Sequence, residues 1–252
     1  MANEDFNSMA ARLPDPFRLL VRAHSGSTND ELRLLAEAGT EEGLVLLAEN
    51  QTAGRGRRGA AWFSSPGESL AFSVLLRPEE PKAWWPRLAL ATGLAVAEAL
   101  ESFGLEAGIK WPNDIWIRQR KVAGILVESG KDFVIIGIGL NINTLAFPPE
   151  IAEVATSLHL EVGRPFLRPD VLGVILHCLS SRRFQIGSEF GALLDAVRLR
   201  CVLTGHRVSL LSSNGLKIGW VEGISSAGEL ILRTQSGIER LIQADEIRLK
   251  PL

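Results

Sequence analysis

Some apolar residues run together in short unbroken stretches and others recur at helical spacing; the switch between the two patterns marks out the elements. FRLLVRAH (17–24) reads as a first strand. HSGSTND then leads into ELRLLAEAG, a helical segment ending at Gly39, where Thr28 and Glu31 fit a capping box. LVLLAEN (44–50) has the length and apolar character of a buried strand. SLAFSVLLRP alternates and predicts another. Pro81 opens a long helical pattern, KAWWPRLALATGLAVAEALESFG, with Pro86 in its early part. After Gly108 the strand-like pieces crowd together: IKW, DIWIRQ, KVAGILVES and DFVIIGIGLNIN. Crowded strands with tight turns predict a mixed or mainly antiparallel sheet, so the class is α+β without regular βαβ alternation. Residues 169–200 return to helical periodicity. From about residue 202 short strands recur at regular spacing, with SSNG, SSAG and QSG as turns. That texture predicts a small all-β barrel, and hence two domains, 1–201 and 202–252.

Length agrees, since 252 residues fit one large domain or one large plus one small. A 46% hydrophobic composition supplies a sizeable core. Charge is nearly balanced, 27 Lys+Arg against 29 Asp+Glu, so any strong positive field must be local and no nucleic-acid partner is expected. Cys178 and Cys201 lie far apart with no CxxC spacing, which predicts reduced thiols and a cytoplasmic protein. MANEDFNSMAARLPDPF lacks an apolar run preceded by positive charge, so no signal peptide is expected. No stretch approaches the roughly 18 unbroken apolar residues of a membrane span.

The densest chemistry lies in AGRGRRGA (53–60). Gly54, Gly56 and Gly59 match the dinucleotide fingerprint G-x-G-x-x-G. That fingerprint must follow a strand and open a helix. Here the strand precedes it, but AAWFSSPGESLAFSVLL carries Pro66, Gly67 and serines and then turns β-like. The alternative is a loop whose glycines admit close approach of a ligand and whose Arg55, Arg57 and Arg58 offer donor forks to phosphate or carboxylate. An exposed basic turn fits the segment taken alone.

KWPNDIWIRQRKVAGILVES (110–129) is the second concentration. Lys110, Asn113 and Asp114 lie among Trp111, Pro112 and Trp116, and Asn-Asp favours a turn. Lys121 opens the apolar strand VAGILV, either as a fixed cation held in a pocket or as a strand-edge gatekeeper. Asn141 and Asn143 in GIGLNIN could read a base edge or form turns before Pro148. Ser27, Thr28 and Asn29 offer hydroxyl and amide groups to a ligand's polar head, beside the capping role.

Taken in order, STN (27–29), Q-x-A-G-R-G-R-R-G (51–59) with Trp62, KWPND (110–114), K-x-A-G-I-L-x-E (121–128) and G-x-G-x-N-x-N (137–143) resemble biotin protein ligases. The resemblance is dense over roughly 20–145 and rests on texture beyond residue 202. It implies a class II synthetase-like catalytic fold, a mixed sheet with helices packed on one side, and an SH3-like C-terminal barrel. It also implies a two-step reaction. Biotin and MgATP give biotinyl-5′-adenylate; a lysine of the biotin carboxyl carrier domain of acetyl-CoA carboxylase or a related carboxylase then takes the biotin. By similarity, Lys121 contacts the carboxylate and the α-phosphate, and Arg55 and Arg57 close over both anions. Ser27, Thr28, Asn29, Gln51 and Gly56 belong to the biotin side. Arg58, Trp62, Lys110, Asn113 and Asn141 belong to the nucleotide side. Asp114 either helps bind Mg²⁺ or positions the incoming lysine.

Some relatives of that family carry an N-terminal helix-turn-helix. Only about 20 residues precede the first core strand here, too few for a three-helix DNA-binding unit, so a ligase-only form without DNA binding is expected. Family members are monomers or homodimers paired through the central sheet. A lipoate–protein ligase shares the adenylate chemistry, but the intact GRGRRG and KWPND segments disfavour it. A ligand-sensing repressor and a non-catalytic biotin-binding scaffold are disfavoured by the short N-terminus and by the retained Lys121 and loop arginines, respectively.

Overall fold

The structure, a computed structural model, describes residues 5–212, 215–244 and 246–250. A short helix α1 (Phe6–Ala10) precedes strand β1 (Arg18–Ser25), helix α2 (Thr28–Glu37) and strand β2 (Leu44–Gln51). The arginine loop leads to β3 (Ser69–Leu76). A 3₁₀ segment, Lys82–Arg87, contains Pro86 and runs into helix α3 (Leu88–Ser102). Strands β4 (Gly108–Lys110), β5 (Asp114–Ile117), β6 (Arg120–Ser129) and β7 (Val134–Asn141) complete a seven-stranded sheet, ordered β1-β2-β3-β7-β6-β5-β4. β1 and β2 are parallel and every other pairing is antiparallel, so the sheet is mixed as the pattern predicts. The expected strand DIWIRQ stops at Ile117. Arg118 and Gln119 take positive φ, +47° and +65°, and form a two-residue hairpin turn whose twist suits the flanking strands.

Helices α4 (Leu158–Val162), α5 (Arg168–Arg182) and α6 (Phe190–Leu199) follow. The 169–200 periodicity is thus two helices, parted by a 3₁₀ turn at Arg183–Ile186. α3 carries apolar residues on all sides and is almost wholly buried, as its unbroken pattern requires. With α1, α5 and α6 it covers one face of the sheet.

The expectation that all helices pack on one side fails for α2. Leu32 and Ala36 of α2 form a separate apolar cluster with Leu46, Leu75, Phe133 and Ile135. Those strand residues alternate with Val45, Val74 and Val134, which belong to the main core on the opposite face, so the period-2 pattern gives each face of the sheet its own core. The capping box fails at the same helix. Ser27, in extended backbone, occupies the N-cap position without a side-chain capping bond. Glu31 turns instead to Arg22 Nε (2.8 Å) and accepts from Ser25 Oγ (3.0 Å).

Strands β8 (Arg207–Ser212), β9 (Gly215–Ile224), β10 (Leu230–Thr234), β11 (Gly237–Leu241) and β12 (Glu246–Leu249) form a second, antiparallel sheet, ordered β11-β10-β9-β8-β12. Ser213 and Asn214 of the expected SSNG turn lie outside the described residues. The inner side chains of this sheet, among them Val208, Leu210, Val221 and Leu232, join the main core. Among the described residues no helix is long and apolar enough to cross a membrane.

Leu94, fully buried in the middle of α3, tests the core directly. Leu94→Ala is expected to destabilise the protein by about 2–5 kcal/mol, read as a lower denaturation midpoint at unchanged slope.

Candidate active site

One cleft opens on the α2 side of the large sheet. Ser27, Thr28, Asn29 and Gln51 line one end. Arg55, Gly56, Arg57 and Trp62 of the loop cover it, and Asn113, Asp114 and Lys121 line the other end. Arg58, Lys110 and Asn141 do not line it.

Lys121 reaches the cleft through a defect in the ladder. Asp114 pairs with Gly124 and Ile115 with Ala123, but Trp116 pairs with Lys121, so Val122 is an extra residue in β6. A bulge of this kind re-aims side chains. Residues 121 and 124 would point to opposite faces of a regular strand; here both share the face of Asp114. Lys121 Nζ lies 2.7 Å from Asp114 Oδ1 and 5.5 Å from the centre of the Trp62 ring. Ile125 N–H donates to Asn113 O (2.9 Å) and Asn113 Nδ2 donates to Ile125 O (2.8 Å), so the KWPND turn is laced to β6.

The floor beneath Trp62 is bare backbone. Gly124 of β6 lies directly opposite Gly139 of β7. A Cβ on Gly139 would stand 2.2 Å from the indole, and one on Gly124 would stand 3.1 Å from both the indole and Lys121 Nζ. A Cβ on Gly137 would stand 2.3 Å from Asn29 Oδ1. The glycines of G-x-G-x-N are therefore seats for Asn29 and Trp62. The indole N–H of Trp62 is buried and unpaired within the protein.

At the other end Thr28 donates twice to Gln51 Oε1, from its backbone N–H (3.0 Å) and its hydroxyl (3.1 Å). Ser73 lies beneath them, 2.7 Å from Thr28 Oγ1 and 2.6 Å from Asn29 Oδ1. Sequence reasoning gave no role to Ser73, Asp30 or Glu128, although Glu128 closes the K-x-A-G-I-L-x-E motif. Asp30 and Glu128 take four hydrogen bonds from the Arg55 guanidinium. Arg55 holds Asp30 below the usual carboxylate range, helped by a hydrogen bond from Ser27. The two carboxylates in turn push the Arg55 pKa up. Arg57 donates to Ala244 O (3.1 Å) and Asn113 Oδ1 (3.3 Å), tying the loop to the connection between β11 and β12.

The three residues outside the cleft have other surroundings. Lys110 Nζ stacks on Trp116 (4.4 Å), and burial pushes its pKa down against the pull of Asp114. Asn141 donates to Thr156 O (3.0 Å), and Asn143 bridges both backbone groups of Phe166, so these amides tie loops together. Arg58 sits in the loop with φ +55°.

Residues 23–143 match the model of the biotin/lipoate A/B protein ligase family. The biotin–[acetyl-CoA-carboxylase] ligase of Mycobacterium tuberculosis is 37% identical over 223 residues, which cover 85% of this chain and 83% of that protein. The chain belongs to the biotin protein ligase family. A bifunctional ligase/repressor of Bacillus spizizenii is 36% identical over 87% of this chain and 70% of that protein. The fold agrees: biotin protein ligase from Aquifex aeolicus, solved in complex with biotin and ATP, superposes with a TM-score of 0.84 at 33% identity, covering 92% of this chain and 99% of that one. The biotin ligase motifs, scattered over more than a hundred residues, thus meet at one cleft on the α2 side of the sheet.

Proposed function

We propose that this chain is an ATP-dependent biotin protein ligase that makes biotinyl-5′-AMP and passes the biotin to a lysine of a carboxylase's biotin carboxyl carrier domain. One observation carries the reading: a cleft with neutral hydrogen-bonding groups at one end and Lys121, Asp114 and Arg57 at the other. A ureido ring is neutral and both donates and accepts, so Thr28 and Gln51 suit it. The carboxylate and the triphosphate are anionic and need fixed cations to meet.

In the first step a carboxylate oxygen of biotin attacks the α-phosphorus of ATP. The bond from that phosphorus to its leaving oxygen breaks, and pyrophosphate departs. Lys121 holds its positive charge at the reacting oxygens. In the second step a neutral lysine amine of the carrier attacks the acyl carbon, the acyl carbon–oxygen bond breaks with its electron pair leaving on AMP, and the new amide nitrogen loses its proton to water. Trp62, which lines the cleft, offers its indole to the adenine, and Arg57 covers the phosphates. Because Arg55 is occupied by Asp30 and Glu128, we assign it to holding the loop, not to the reacting anions.

Among the described residues Asp114 is the one carboxylate lining the cleft, and Lys121 already engages it. Among the described residues no group of three or more His, Cys, Asp or Glu could hold a metal ion. A lone engaged carboxylate does not make a resident Mg²⁺ site. Magnesium would therefore arrive as the nucleotide's own ion, and Asp114 keeps its second role, positioning Lys121 and the incoming amine. We read residues 1–201 as the catalytic unit and 202–252 as an SH3-like barrel that buttresses the loop through Ala244. We place the protein in the cytoplasm with its carrier.

The deciding assay offers ATP with biotin or lipoate to an apo carrier domain and detects the modified lysine. Biotinylation is expected, and lipoylation without biotinylation overturns the reading. Arg57→Gly is expected to loosen the loop and let the adenylate escape, raising labelling of bystander proteins about tenfold for each ~1.4 kcal/mol of closure lost. Unchanged bystander labelling would refute the covering role of Arg57.

A further inference from the structure

Glu161 of α4 is a carboxylate that the reaction above does not use, and its side chain is 1% exposed. Surface pairs of this chain differ: Arg18 and Glu41, for example, are both more than half exposed, and such pairs contribute little. A buried carboxylate stays charged only where donors replace its water. Glu161 Oε1 accepts from Arg120 NH2 (2.7 Å) and from Thr156 Oγ1 (2.6 Å). Glu161 Oε2 lies 3.6 Å from Arg118 NH1 and, among the described residues, has no hydrogen-bond partner.

These partners enclose Lys121. Arg118 belongs to the hairpin turn before it, and Arg120 is its neighbour in β6. Thr156 is fully buried and belongs to the segment that grips its backbone: Lys121 N–H donates to Val154 O (2.7 Å), and Thr156 N–H donates to Lys121 O (2.9 Å). Asn141 holds the same Thr156 from the end of β7. Successive residues of a strand face opposite ways, so a side chain fixed at Arg120 fixes the opposite facing at Lys121. The need is specific to this place. Val122 is an extra residue in β6, and a ladder with one residue to spare can slip by one position, which would turn Lys121 away from the cleft.

We infer that Glu161 is a positioning residue for Lys121: through Arg120 on one side and Thr156 on the other, it holds the bulged start of β6 in the register that faces the ammonium into the cleft. The consequence for adenylation rests on the ligase reading above; the register itself does not. Glu161→Gln removes the charge facing Arg120 and keeps the length of the side chain. Arg120→Gln breaks the same pair from the more exposed partner, whose side chain is 39% exposed, so it tests the pair with less risk to folding.

Two measurements on the full chain test this. Without ligands, acetylation of Lys121 is followed by mass against the exposed Lys131 of the same molecule. Both Gln variants are expected to raise that ratio about tenfold, as the loss of a charge-assisted hydrogen bond lets the ammonium leave Asp114. With saturating ATP and biotin, both are expected to lower kcat for pyrophosphate release about tenfold, with the KM for biotin nearly unchanged because the Thr28–Gln51 end is untouched. In a Lys121→Ala background neither variant should lower the residual rate further, whereas independent effects would multiply. Arg182→Gln is the control for stability. It breaks the two-pronged pair with Glu98 (2.6 and 2.9 Å) between α5 and α3, and is expected to lower the thermal midpoint and leave kcat unchanged. An unchanged acetylation ratio or an unchanged kcat in both Gln variants, a kcat loss that persists without Lys121, or an equal kcat loss in Arg182→Gln overturns the positioning role. A wild type that forms no biotinyl-adenylate overturns the ligase reading instead, and the acetylation ratio still judges the register.

Discussion

Lys121→Ala will slow pyrophosphate release by about 10²–10³-fold, the loss that follows removal of one fixed group stabilising charge in a transition state. The cation is held by geometry that alanine cannot replace. The β6 bulge turns Lys121 onto the cleft face, and Asp114 fixes its ammonium at 2.7 Å. Gly124 leaves room beside it, where even a Cβ would press on Nζ. An ammonium placed in advance costs no reorganisation as negative charge gathers on the oxygens at phosphorus. Lys121→Arg keeps the charge but brings a longer planar fork into a position shaped for a compact ammonium, so it should recover only part of the rate. Biotin affinity measured alongside separates chemistry from folding: the neutral-end contacts at Thr28 and Gln51 are untouched, so a ligand-induced rise in thermal midpoint should persist. Near-normal pyrophosphate release by Lys121→Ala would remove Lys121 from the reaction.

The bulge also shows where reading the sequence stops. The chain's polar motifs, STN, GRGRRG, KWPND and K-x-A-G, were legible because each carries unusual residue types in a short span, and the structure brings all four to one cleft. The mixed sheet followed from crowded apolar runs, but its strand order did not, because which strands pair depends on contacts distant in sequence. What was hidden depended on partners distant in sequence. An inserted residue such as Val122 has no local signature, so the facing of Lys121 could not be foreseen. Thr28 and Glu31 had the spacing of a capping box, but Arg22 and Ser25 on β1 compete for the same carboxylate and win. Asp30 reads as a common first-turn acid and Glu128 as a strand-end charge until Arg55 is seen between them. Asn141, which read as either a base reader or a turn former, gives its Nδ2 to Thr156 O, a partner no local pattern signals.

The glycines of β7 were equally silent, and they support the second large prediction. Gly139→Ala will raise the KM for ATP about tenfold to a hundredfold, the loss corresponding to about 1–3 kcal/mol of forced displacement in a packed site. The indole of Trp62 lies on Gly139 so closely that an added methyl would overlap it at 2.2 Å. The backbone of Gly139 cannot retreat, because β7 is held on one side by β3 and on the other by β6. The indole must therefore lift into the space the nucleotide would use, straining the loop through the bond from the Trp62 backbone N–H to Gly54 O (2.9 Å). Direct collision and indirect effects separate in a Trp62→Ala background. There the new methyl meets no ring, so Gly139→Ala should add little to the KM of Trp62→Ala alone. A Gly139→Ala penalty of equal size with and without the indole would mean that the strand itself, not the seat of Trp62, is what the glycine protects.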